Sequence, residues 1–139
     1  MLDEDFTTWA QYKELIELHK FYFEHLVQTA GFSFGVIGAV FAYVIKARLK
    51  ATQVRLALVV PLLLSLATSI VFGIGIDKNR DFSAKVQTLQ SQLGLIWRPH
   101  AEILEDMAIV FTIIFSFISI GLLAMIIYPK VLPSARTSS

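Results

Sequence analysis

Residues 56–76 read LALVVPLLLSLATSIVFGIGI, a run without a single Lys, Arg, Asp or Glu. At 1.5 Å per residue a helix of this length crosses a hydrocarbon core of about 30 Å. Two more charge-free runs flank it, Leu26 to Ile45 and Met107 to Pro129, each again about 20 residues or slightly longer. A soluble chain of 139 residues that held three such runs would have almost nothing left with which to bury them. Lipid offers the backbone no water, so only helices or closed barrels span it, and these runs lack the strict alternation of barrel strands. The sequence therefore predicts an all-α integral membrane protein with three transmembrane helices.

Outside the three runs the charges are unevenly shared. Residues 1–25 carry six acids (Asp3, Glu4, Asp5, Glu14, Glu17, Glu24) against Lys13 and Lys20. The short loop between the first two spans carries Lys46, Arg48, Lys50 and Arg55 and no acid, whereas the 77–106 connection balances five acids against four bases. Lys130 and Arg136 follow the third span. Lys and Arg in short loops are retained on the cytoplasmic side. The expected topology is multi-pass, with the N-terminus outside and the C-terminus cytoplasmic. The acidic start and the lack of a small-residue cleavage site argue against a removed signal peptide.

The chain is read as one membrane domain, 1–139. Helix one is expected over about 8–49, with its span at 26–45, because Thr8 and Gln11 fit a capping box and no Gly or Pro interrupts before Gly31. Leu15, Leu18, Tyr22, Leu26, Thr29, Val36, Val40 and Val44 form one apolar stripe that stays in phase across the membrane boundary. The opposite stripe runs Lys13, Glu17, Lys20, Glu24, Gln28, Gly31, Gly35, Gly38, Ala42. Charge outside the bilayer thus gives way to small residues within it. Small residues at this spacing let another helix approach closely. Three uses are open: packing against another span of the same chain, self-association, or lining a pore.

Span two, 56–76, carries Pro61 and a Ser65, Ser69, Gly73 edge; span three, about 100–129, carries Ala108, Thr112, Ser116 and Ser119 along one face. Between them Phe82, Val86, Leu89 and Leu93 recur at helical spacing, which predicts a short outer amphipathic helix over about 81–93 ending near Gly94. Two placements are open, on the outer membrane surface with Trp97 as an interfacial anchor or against the outer half of helix one, and the second is expected because Leu15, Leu18 and Tyr22 there need a partner. Pro99 is read as the start of the third helix, and Glu102, Glu105 and Asp106 as acids that suit its N-terminal dipole. Residues 130–139 form a flexible tail.

Chemistry is hard to find. The chain has no cysteine, which excludes disulfides and thiolate ligands. His19 and His25 lie six residues apart, on different faces of a helix, so they cannot share one metal or haem; His25 and His100, both near the outer boundary, could meet across helices, but interfacial histidines are more often hydrogen-bonded packing residues. No ionisable residue falls near a span's midpoint, and phosphate loops, nucleophile elbows and zinc motifs are absent. No enzyme activity, metal or cofactor is expected. The leading expectation is a small homo-oligomeric channel, cation-preferring because Glu17, Glu24 and Gln28 would form its outer vestibule above Gly31, Gly35, Gly38 and Ala42. Membrane depolarisation by a bacterial effector is one use of such a pore. The alternative is a non-conducting scaffold or anchor subunit. The lipid bilayer is the expected environment, and copies of the chain are the expected partners. Lys46, Arg48, Lys50 and Arg55 are read as a topology signal, or as a cytoplasmic basic ring that holds an anionic ligand such as a nucleotide. Sequence-specific nucleic-acid binding is not expected, since the loop lacks interleaved aromatics.

Overall fold

The computed structural model describes residues 2–95 and 102–128, with side chains from Phe6 onward. Trp97, Pro99, His100, Lys130 and Arg136 lie outside the described residues. Among the described residues three helices make up the regular structure: α1 (Leu2–Lys46), α2 (Ala51–Gln92) and α3 (Ile103–Ile127). Each is long and apolar enough to cross a membrane, which is the architecture of a multi-pass membrane protein. α2 and α3 share the most extensive seam, α1 lies mainly along α2, and α1 touches α3 least.

Two boundaries differ from expectation for the same reason. α1 is already helical at Leu2, so Thr8 stands in its interior and the Thr8/Gln11 pattern is not its cap. The segment 81–93 is not a separate helix, because α2 runs unbroken from the span to Gln92. Polar and charged residues such as Asp77, Lys78, Asn79 and Arg80 leave the membrane without leaving the helix. Neither Gly nor Pro, the residues that most weaken a helix, occurs between Ile76 and Leu93. The stop comes where a glycine permits it. Gly94 adopts a left-handed φ of 62°, and its N–H bonds to Ser91 O at 3.3 Å while Leu95 N–H bonds to Gln90 O at 3.2 Å, the paired closure of a Schellman motif.

The α1–α2 turn is tighter than expected, since α1 ends at Lys46 rather than near residue 49. Ala47 N–H closes the last helical turn on Tyr43 O at 2.9 Å. Arg48 then takes a φ of 47°, a left-handed conformation that costs a residue with a Cβ roughly 1 kcal/mol. Lys50 N–H donates to the Gln53 side chain at 3.1 Å as α2 begins.

Three clusters fill the interior along the bundle. At the basic-loop end Val44, Val54, Leu58 and Leu122 are buried together. Midway Leu26, Ala30, Ile37, Phe72, Leu104, Ala108 and Phe115 form the main core, with the Phe34 ring stacked 4.8 Å from that of Phe115. Beyond the spans Tyr12 and Val86 are buried with Leu15, Ile16, Phe82 and Leu89 around them. The 81–93 segment therefore does pack on the outer half of α1, as the far end of α2. The start of α3 is tied to the same stretch. Arg80 Nε donates to Glu105 at 2.9 Å and Gln87 Nε2 to Glu102 at 2.8 Å.

The buried line of α1 runs Tyr12, Leu26, Ala30, Ser33, Ile37, Val44, rotated roughly 50° from the apolar stripe of the sequence at 100° per residue. α1 must face α2 and α3 at once, and the small Ala30 and Ser33 sit where the three helices converge. Leu18, Tyr22 and Thr29 of the expected stripe remain exposed.

Candidate functional site

The small-residue edges of α2 and α3 meet each other. Ser65 Oγ lies 2.8 Å from Ser119 Oγ, and Ser69 Oγ lies 2.8 Å from Ser116 Oγ and 3.2 Å from Thr112 O. A Cβ on Gly73 would stand 3.8 Å from the Thr112 methyl. Ser116 and Ser119 each reach the carbonyl four residues back on their own helix, at 2.7 and 2.8 Å. With those protons given to α3 carbonyls, Ser116 and Ser119 can accept from the α2 hydroxyls, which also have carbonyls in reach, Leu62 O for Ser65 at 3.0 Å and Thr112 O for Ser69. Ser33 and Thr68 extend this ladder to α1 at 3.0 Å. Neither was singled out in the sequence, because an isolated hydroxyl has no period to betray it.

α1 uses its own small residues differently. Gly31, Gly35, Gly38 and Ala42 are exposed, and a Cβ built on any of the three glycines meets nothing within 4 Å. They lie on the side of α1 turned away from its buried line, roughly 135° around the helix. The structure does not bring them against α2 or α3. Lys13, Glu17, Lys20, Glu24 and Gln28 continue the same face and are also exposed. The stripe is thus one uninterrupted surface, charged outside the span and bare within it. In lipid, bare backbone gains nothing from acyl chains that a second helix would not supply better.

The basic loop is open as well: Lys46, Arg48, Lys50 and Arg55 are all exposed at one end of the bundle. The two histidines among the described residues, His19 and His25, have separate surroundings. His19 is half-buried with its ring 5.9 Å from Phe82, and His25 is exposed with its ring edge-on to Phe21 at 4.2 Å. Among the described residues no three His, Asp or Glu side chains cluster as metal ligands would. The acids read only as dipole partners turn out to have specific contacts, Glu105 with Arg80 and Glu102 with Gln87. No protein family, curated protein or solved structure matches this chain.

Proposed function

We propose that the chain assembles with copies of itself into a membrane pore, with α1 next to the symmetry axis and its acidic outer face forming a cation-attracting vestibule. The observation that supports this is the open glycine face. α2 and α3 spend their small-residue edges on each other, whereas Gly31, Gly35 and Gly38 face away from the bundle with free space above them. Identical faces brought together around an axis pack backbone against backbone. Glu17, Glu24 and Gln28 would ring the entrance, and rings of carboxylates favour cations. In this arrangement the N-terminus is outside, and Lys46, Arg48, Lys50 and Arg55 form a basic ring on the cytoplasmic side that can hold an anion such as a nucleotide.

Purified protein in planar bilayers is expected to pass cation-selective current, and Glu24→Gln to reduce that selectivity. Absence of current at any voltage removes the pore reading. Unchanged selectivity in Glu24→Gln removes the vestibule even where a pore exists.

One observation favours the rival reading, a non-conducting anchor. α1 and α2 both continue past their spans as a packed helical pair, and α1 alone adds 24 residues before Leu26, about 36 Å of helix. Such a mast offers a docking surface for a different protein. Stoichiometry distinguishes the two: a closed ring of identical chains supports the pore, and a single chain in a mixed complex supports the anchor.

A further inference from the structure

A crevice of about 610 Å³ opens between α1 and α2 where they leave the membrane, within the roughly 300–1,000 Å³ of ligand pockets. Its apolar lining includes the buried Leu26, Phe72 and Leu104 and the exposed Val71, and its polar lining includes His25, Lys78, Asp81 and Lys85. The exposed part of α1's apolar stripe, Leu18, Tyr22 and Thr29, forms one wall. The crevice therefore straddles the level at which the charge-free runs end: Leu26 begins one, and Ile76 ends the other just before Asp77. An occupant must be apolar at one end and polar at the other.

The charge of the lining narrows the choice. Lys78 and Lys85 stand two helical turns apart on one face of α2, and neither forms an ion pair among the described residues. Asp81 lies between them and can offset only one, while Arg80 is held by Glu105. Among the residues that line the crevice one positive charge is left over, which a single phosphodiester would neutralise. The Cα–Cβ bonds of a helix tilt toward its N-terminus, which for α2 is the membrane side, so both lysine stems start out toward the span.

We propose that this crevice binds one anionic phospholipid, its phosphate held by Lys78 and Lys85 and one acyl chain lying along Val71 and Phe72. The site is independent of pore formation, because every residue in it comes from one chain. Native mass spectrometry tests it on full-length protein extracted from vesicles of equal parts phosphatidylglycerol and phosphatidylcholine. One phosphatidylglycerol per chain is expected to be retained in preference to phosphatidylcholine. Retention should fall roughly ten- to thirtyfold in the Lys78→Gln/Lys85→Gln double variant and persist in Lys78→Arg/Lys85→Arg. Val71→Trp, at an exposed position that tolerates bulk, should fill the crevice and reduce retention with helicity unchanged. Equal retention of both lipids, or full retention in the glutamine variant, overturns the proposal. So does inorganic phosphate binding to lipid-free protein as tightly as phosphatidylglycerol, which would make the ligand a free anion. Loss of self-association in Val71→Trp with lipid retention unaltered also overturns it, since a second copy would then occupy the crevice.

Discussion

Ser65 and Ser119 are the residue pair on which the α2–α3 seam can be tested most directly. Both are buried and their hydroxyls are 2.8 Å apart. Within a bilayer such a contact carries less than its isolation from water suggests, because hydroxyls in the separated helices return to their own backbone carbonyls. Ser65 shows that alternative already, reaching Leu62 O at 3.0 Å. A double-mutant cycle of Ser65→Ala and Ser119→Ala, measured by denaturant unfolding in mixed micelles, should give a coupling energy of about 0.6 kcal/mol and not above about 1.7. A coupling near zero would mean that the two hydroxyls bond only to their own helices. Arg48 shows the opposite case, a residue whose backbone conformation the sequence does not announce. Glycine commonly fills a left-handed position, and here an arginine of the basic loop fills it. The need for positive charge in this short loop and the need for a tight turn fall on the same residue.

At the scale of elements, α2 carries the main lesson. Its span was legible because lipid demands an uninterrupted apolar run, and its end was legible because Gly94 marks it. The join between span and outer helix was not, because a charged stretch such as Asp77 to Asp81 suits a loop and an exposed helix equally well. What decides is partnership. Phe82, Val86 and Leu89 continue onto α1, and Arg80 and Gln87 reach the start of α3, so the helix is held straight from both sides. Spin labels on cysteines at Val59 and Ala84, both exposed in a chain with no native cysteine, should lie about 38 Å apart between backbones if α2 is continuous. A distance much shorter than this would mean that the outer segment folds over onto the membrane surface. The apolar stripe of α1 was legible in its phase and not in its direction. Helical period defines a face, but the roughly 50° rotation of the buried line depends on how two partners share that face.

For the whole molecule the same limit governs the glycine stripe. Gly31, Gly35, Gly38 and Ala42 were found from spacing alone, yet spacing names no partner, and the folded chain leaves them uncovered. That exposure makes a clean experiment possible. A large side chain at Gly35 meets no atom of its own chain, and replacing a helical glycine raises helix propensity by up to about 1 kcal/mol. Gly35→Leu should therefore fold with full helicity and at least wild-type monomer stability. Its β-branch-free bulk would nevertheless hold a second helix away from the backbone, weakening self-association about tenfold or more, with Gly35→Ala falling between the two. Light scattering in detergent, read over a range of protein-to-detergent ratios, separates these effects, because monomer folding and assembly respond in opposite directions. If Gly35→Leu keeps the wild-type stoichiometry throughout, copies of the chain do not meet at this face, and α1 cannot stand at the axis of a pore.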